Sequence, residues 1–398
     1  MRILVVTAGS HGDVAPFTGL GARLLAAGHQ VGVATQPQFA ELVRGHGMQF
    51  LPVPGELRRE LRPLQQAAAF VREMGAGLAA LAEHRADVVL LTAATAPLGW
   101  QLAEAIGARP IGAYLQPVHP TREAPPVVGS GRSLGGWGNR AAGLAALRLV
   151  DRMYEGPVRR LRAELGLPPL SGRAVRARNE RANWPVLHGY SPAVVPRPGD
   201  WRNGLEVVGN WWPATVGESP LPAELEEFLT AGPPPVFIGF GSMGGGEGER
   251  LSAVAVAALR LAGVRGVVQA GWAGLTAVGD QVLTVAEVPH ALLFPRTAAV
   301  VHHAGAGTTA AALRAGVPAV PVPVLGDQPF WARRVAALGA ATEPVPFKRL
   351  TAERLAAAIG TAVAGAALRE RAGALAARLA TEDGAGRAVA LIERWAGD

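Results

Sequence analysis

The chain has no cysteine. That excludes disulfides, thiolate metal sites and a cysteine nucleophile, and it fits a reducing, cytoplasmic location. It has a single lysine, Lys348, which follows Phe347. The phosphate-binding loop G-x-x-x-x-G-K-[ST] is therefore absent. There is no His-Glu-x-x-His run and no Asp-x-Asp pair, so no metal is expected at the site. No apolar run reaches the ~18 residues of a membrane span. Ala86 to Leu115 comes closest, but Asp87, Pro97, Glu104 and Arg109 interrupt it. Met1-Arg2 leads straight into Ile3-Leu4-Val5-Val6-Thr7, which reads as a first strand and not as a secretory leader.

What is present is apolar and basic. Of 398 residues, 49% are hydrophobic, and the mean hydropathy is +0.21. That length exceeds one ordinary core, so two domains are expected. The formal charge is +7 and the pI about 10.9. Almost all of the positive charge is arginine, in a chain also rich in alanine and glycine. This basicity suits anionic ligands, or a peripheral membrane contact through the Arg-rich stretch Arg148 to Arg181. No nucleic-acid module and no basic run interleaved with aromatics is found, so no nucleic-acid partner is expected.

Strand-like and helix-like segments alternate nearly throughout. Ile3–Thr7, Gln30–Ala34, Asp87–Leu91 and Pro110–Tyr114 read as strands, with helices at Pro16–Ala27, Phe39–His46 and Leu98–Ile106 between them. From Thr121 to Gly138 the pattern dissolves into proline and glycine, which suggests a mobile loop; an Arg-rich helix, Ala141 to Leu165, follows. The alternation restarts at Val236–Gly239 and continues through Gly266–Ala270, Val282–Val285, Ala298–His302 and Val317–Pro321. This order predicts an α/β chain of two doubly wound, Rossmann-like parallel-sheet domains facing a cleft. The expected division is 1–205, a linker over 206–222 containing Asn210-Trp211-Trp212-Pro213, and 223–380. The terminal helix within 381–398 is expected to pack back on the first domain. Ligands in such sheets bind beyond the carboxyl ends of the strands.

Four loops sit at such ends. In Val300 to Pro323 a strand runs into His302-His303-Ala304-Gly305-Ala306-Gly307 and then a helix from Thr308. A helix N-terminus offers unpaired N–H groups and partial positive charge, and small residues let a phosphate approach it. Thr308 or Thr309 can add a hydroxyl, and His302 or His303 a ring N–H. In Phe237 to Gly246, Gly239-x-Gly241-x-x-Gly244 matches a dinucleotide fingerprint by letter, but no acid ends the next strand. That loop reads as a second backbone cradle, with the Ser242 hydroxyl. In Thr7 to Pro16, Asp13 precedes a helix. It is either the helix N-cap or, with His11, a base facing the cleft. In Leu325 to Arg334, Asp327 and Gln328 suit the vicinal hydroxyls of a sugar. Asp327 alone would serve as a plain cap.

These motifs resemble those of family 1 glycosyltransferases of GT-B fold, of the bacterial natural-product and sterol-type glucosyltransferase kind. The matching stretches are GSHGDVAPFTGLGARLLAAGHQV (Gly9–Val31), GNWWP (Gly209–Pro213), FIGFGSM (Phe237–Met243), EVPHALLFPRTAAVVHHAGAGTT (Glu287–Thr309) and RAGVPAVPVPVLGDQPFWARRVAALGA (Arg314–Ala340). The resemblance implies Asp13 as acceptor base, with His11 standing where an arginine is usual and sharing or altering that role. It implies Ser242, His303, Gly305, Gly307 and Thr308 around the donor diphosphate. Asp327 and Gln328 fall on the donor sugar, and the Val288 backbone and Trp272 on the nucleobase. Ala304 stands where the family has the first of two glycines. The implied activity is an inverting, metal-independent hexose transfer. It runs from a nucleotide diphosphate sugar, with UDP-glucose favoured over a thymidine-linked deoxysugar, to a hydroxyl of a hydrophobic natural product or sterol-like acceptor. No cofactor is implied beyond the nucleotide sugar co-substrate. Two alternatives are a sugar-nucleotide epimerase of related fold and a non-catalytic sugar-nucleotide-binding helper.

Overall fold

In a computed structural model, described here for residues 1–55, 63–214, 220–241, 247–271, 274–276 and 281–397, the chain forms two parallel sheets. The first has order β3-β2-β1-β4-β5-β6-β7. Its strands are β1 (Arg2–Val6), β2 (Gln30–Thr35), β3 (Gln49–Pro52), β4 (Val88–Leu91), β5 (Arg109–Tyr114), β6 (Val186–His188) and β7 (Leu205–Val207). The second has order β10-β9-β8-β11-β12. It is built of β8 (Val236–Gly239), β9 (Gly266–Gln269), β10 (Val282–Val285), β11 (Ala299–His302) and β12 (Ala319–Pro321). Every pairing is parallel. The central strands read as unbroken apolar runs because helices cover both faces. Val88 to Leu91 and Val236 to Ile238 are fully buried.

Six helices matter below: α1 (His11–Val14), α2 (Pro16–Ala26), α3 (Gly135–Glu164), α4 (Ala306–Ala315), α5 (Gln328–Ala337) and α6 (Gly384–Gly397). In each sheet the order reverses beside a central strand, β1 or β8. The loops after β1 and β11 open at those reversals, the place where doubly wound sheets take ligands. Among the described residues no helix is long and apolar enough to cross a membrane.

Two expectations are corrected. The stretch expected to be a mobile loop, Thr121 to Gly138, is hydrogen-bonded near both ends and already enters α3 at Gly135. Thr121 Oγ1 donates to Asp200 Oδ1 at 2.5 Å and the Arg122 N–H to Asp200 Oδ2 at 2.9 Å. The buried Asn139 accepts from the Leu134 N–H at 2.8 Å. Helix α4 begins at Ala306, two residues before the expected start, because Gly305 takes extended N-cap dihedrals (φ −64°, ψ 149°).

The segment after β7 is packed. Trp211 lies against Phe17 of α2 at 5.5 Å between ring centroids. A Cβ on Gly19 would collide with the Trp212 carbonyl. Helix α6 returns to the first sheet, where Ala388, Val389 and Ile392 share a core with Phe17, Leu20 and Leu24 of α2. His29 Nε2 meets Glu393 Oε1 at 3.1 Å, and Arg23 pairs with Asp383. The chain thus crosses between lobes twice. The two crossings touch at Gly209 (φ +108°) and Gly384, where a Cβ on Gly209 would fall 3.0 Å from the Gly384 Cα.

Candidate functional site

The first lobe contributes the loop between β1 and α1. Thr7 Oγ1 donates to the Asp13 carbonyl at 2.7 Å, closing the loop on itself. Ser10 is the N-cap of α1, and Asp13 sits at its third position. Asp13 is therefore not the cap of α2, whose N-cap is Ala15. Instead the Ser10 N–H and Oγ–H both donate to Asp13 Oδ2, at 2.8 and 2.9 Å. Oδ1 is left without a hydrogen bond among the described residues. Burial pushes the Asp13 carboxyl above the usual carboxylate range, and the two Ser10 bonds pull it back in part. Gly9 has φ +143°, and a Cβ there would collide with Asp13 Oδ2. Only glycine fits that backbone and that neighbour together. His11 is exposed on α1.

Gln36 holds this loop and went unread in the sequence. Its side-chain Nε2–H donates to the Gly9 carbonyl at 3.2 Å, and its Oε1 accepts from the Gly9 N–H at 3.3 Å. It is buried after β2, beside Thr35, which also donates to it at 3.1 Å. A glutamine before a proline gives no period or spacing that marks it.

The second lobe contributes the turn from β11 into α4. His302 and His303 diverge, as adjacent residues on a strand end must. His302 is fully buried, and its Nδ1 accepts from the Ala304 N–H at 3.0 Å. Nε2 therefore carries the proton, and burial pulls the ring down to about 3. Ala304 has φ +63°, left-handed backbone that favours glycine. The His302 bond holds that turn, which aims α4. His302 is thus a turn holder, with its Nδ1 committed to the backbone.

The His303 ring lies between two glycines. A Cβ on Gly305 would fall 2.5 Å from its Nε2, and one on Gly241 would fall 3.0 Å from its Cε1. Burial pulls the ring down to about 4, so it is neutral at physiological pH and offers one N–H. Its Nδ1 is buried without a partner among the described residues, as is Thr309 Oγ1. The Ala306, Gly307 and Thr308 N–H groups occupy the first turn of α4, with no side-chain cap. Gly307 is exposed and Thr308 half-buried. A helix tip with free N–H groups and no acid nearby on its own turn attracts an anion. Ser242 and Trp272 lie outside the described residues. Val288 is buried beside Val285, Phe294 and Ala312, so its side chain is spent on the core.

After β12 the chain turns at Gly326 (φ +68°) into α5. Asp327 occupies the N-cap position but makes no side-chain cap. Instead the Trp331 Nε1–H donates to its Oδ2 at 2.9 Å. Burial raises this carboxyl to about 6, and the charge of Asp13 across the cleft adds to the rise. The first-lobe acid is thus within electrostatic reach of the second-lobe acid. Gln328 is engaged through one end only. Its Oε1 accepts from the Val324 and Leu325 N–H groups at 2.8 and 3.1 Å, leaving its Nε2–H₂ free among the described residues. The short helix α1 approaches α4 directly across the cleft. Among the described residues no three His, Asp or Glu side chains are grouped to hold a metal.

Residues 3–104 match the glycosyltransferase family 28 N-terminal domain, and residues 267–390 match the erythromycin biosynthesis protein CIII-like C-terminal domain. The chain is 36% identical over 417 residues to the O-mycaminosyltylonolide 6-deoxyallosyltransferase of Streptomyces fradiae, across 100% of this chain and 98% of that protein. It is 33% identical to a sterol 3-beta-glucosyltransferase of Arabidopsis thaliana over 90% of this chain, and spans 60% of that longer protein. Among solved structures, the glycotransferase of kitacinnamycin superposes with a TM-score of 0.74 at 23% identity, over 99% of this chain and 98% of that one. That last likeness is one of fold.

Proposed function

Because the chain belongs to the glycosyltransferases of GT-B fold that include these macrolide and sterol enzymes, we propose that it moves a hexose from a nucleotide diphosphate sugar to a hydroxyl of a hydrophobic natural-product or sterol-like acceptor. The transfer is inverting and metal-independent, and UDP-glucose is the favoured donor. One observation carries this reading: Asp13, with its Oδ1 free, sits on a helix that approaches, across the cleft, a helix tip whose N–H groups and neighbouring His303 Nδ1 are unpaired among the described residues.

The chemistry follows from that opposition. The acceptor oxygen attacks the anomeric carbon from the first-lobe side, and the bond from that carbon to the diphosphate oxygen breaks. The electron pair leaves with the diphosphate. Its charge is met by the Ala306, Gly307 and Thr308 N–H groups and by the His303 ring. The acceptor proton passes to Asp13 Oδ1. An ordinary aspartate is a weak base at about 3.9. Burial makes Asp13 a stronger one, and the hydroxyl becomes acidic only as its bond to carbon forms. Attack on one face with departure from the other inverts the anomeric centre. Asp327 Oδ1 and Gln328 Nε2 supply an acceptor and a donor for adjacent sugar hydroxyls.

A panel of nucleotide sugars against polyketide, sterol and glycopeptide aglycones, read by mass, tests the reading. A product heavier than the acceptor by one hexose, formed without added divalent ion and with inverted anomeric configuration, is expected. Donor consumption with no acceptor present would instead point to an epimerase, and donor binding without turnover to a helper.

A second reading adds a peripheral membrane contact. Leu134, Trp137 (77% exposed), Leu144 and Leu149 (68% exposed) are exposed on α3 and its entry, as are Arg132, Arg148, Arg152 and Arg160. Apolar side chains together with arginine suit an anionic lipid surface. Anionic vesicles should pellet the protein at low salt and lose it with Trp137→Ser. Full recovery in the supernatant would sink this reading.

A further inference from the structure

Resting on the assignment of Asp327 to the donor sugar, we propose that Trp331 is a positioning residue of that site: its indole, held between Asp327 and Tyr190 of the first lobe, makes sugar recognition depend on how the two lobes are packed. Trp331 lies one helical turn beyond Asp327, where i and i+4 side chains meet. Its N–H is the one side-chain donor to Asp327 among the described residues. With Oδ2 so fixed, the carboxylate is held in one rotamer.

The other side of the indole belongs to the first lobe. Tyr190 follows β6 and Gly189, is buried, and meets Trp331 edge-to-face with centroids 6.0 Å apart and planes at 70°. Tyr190 is itself backed by His188 at 5.7 Å. Two more bonds tie α5 to that lobe: Arg334 Nε–H to the Val194 carbonyl at 2.5 Å, and Arg333 Nε–H to the Ser130 carbonyl at 3.1 Å. The helix carrying the sugar-facing acid is therefore seated on the first lobe at three points. Of these, Trp331 alone touches both the lobe contact and the acid. A rotation of one lobe against the other that displaces Tyr190 moves the indole, and the indole moves Asp327.

The charged groups around Asp327 are few. Asp13 on α1 faces it with like charge. Arg333 and Arg334 on its own helix are turned to first-lobe carbonyls, and Arg314 on α4 lies over the Trp212 ring, 4.5 Å from its centroid. The Trp331 N–H is thus the main group favouring the ionised form.

The test compares Trp331→Phe, Tyr190→Leu, Asp327→Asn and the double variant Trp331→Phe/Asp327→Asn in steady-state transfer. Trp331→Phe keeps the buried ring and removes only the N–H. The expected result is a donor KM raised roughly tenfold with kcat little changed, since one charge-assisted hydrogen bond is lost. The acid limb of kcat/KM for donor, expected in the parent where the Asp327 carboxyl titrates at about 6, should move to higher pH. Tyr190→Leu should raise donor KM in the same direction although it touches no donor. In the double variant the loss of the N–H should add less than it costs in the parent, because the amide oxygen of Asn accepts that N–H without the charge of the carboxylate. If Asp327→Asn raises donor KM while Trp331→Phe and Tyr190→Leu keep the parent KM and pH profile, the inference is overturned and the sugar assignment stands. If Asp327→Asn leaves donor KM unchanged, the sugar assignment itself fails. Tyr190→Leu decides the matter should Trp331→Phe fail to fold.

Discussion

Asp13→Asn should lower kcat by about 10²–10⁴-fold and leave the binding of nucleoside diphosphate nearly unaltered. The substitution is isosteric. An amide oxygen can still accept from the Ser10 N–H and Oγ–H that now hold Oδ2, so the loop should keep its shape. The position of Oδ1 would then be taken by an NH₂ group, which has no lone pair to receive the acceptor proton. Folding should not suffer. The parent carboxyl is raised by burial, so its ionised form is disfavoured in the folded state, and stability contributed there declines as pH rises through the folded pKa. The melting temperature of the variant at pH 8 should thus equal or exceed that of the parent. Single-turnover transfer at saturating donor, with calorimetric titration of UDP, separates the two effects. Near-parent turnover would remove Asp13 from the chemistry.

His303→Ala should cost about 10²–10³-fold in kcat, the second-largest effect. The ring supplies a neutral N–H in a site where burial holds it near 4, so its contribution should be level from pH 5.5 to pH 8. A charged histidine would instead lose its effect above pH 7. The three amides at the start of α4 remain in the variant, so activity should stay well above background. His303→Gln keeps an N–H donor and should recover part of the loss. If turnover of His303→Ala matches the parent at both pH values, the leaving group is stabilised elsewhere.

The places of Asp13 and His303 beyond strand ends are legible in the sequence for the same reason. Each follows an apolar run that can only be a central strand, and strand ends in doubly wound sheets face the ligand. Gly305 is legible as well, because only small residues let an anion approach the backbone of a helix tip; the demand on Gly9 appears only in the fold, where a Cβ would meet Asp13. Other parts depend on residues far apart in sequence. β6 and β7 are three residues each, too short for any period, and exist because β5 offers a partner edge. Gln36 and Tyr190 matter only through Gly9 and Trp331, contacts made by the fold. The span from Thr121 to Gly138 misleads for a related reason: proline and glycine announce irregular backbone, but Asp200 holds its start and Asn139 its end. Asp327 shows the opposite case. Its letter and place suggest a cap, yet the side chain turns from the helix end to an indole.

The return of α6 to the first sheet also governs how such proteins can be cut and recombined. A fragment ending after β7 would expose the Phe17, Leu20 and Leu24 surface that Ala388, Val389 and Ile392 cover. A hybrid that borrows the nucleotide-sugar lobe of another enzyme must therefore be spliced at both glycine crossings, keeping the native tail with the native front half. Exchanging everything downstream of Gly209 as a single block would seat a foreign tail on that surface.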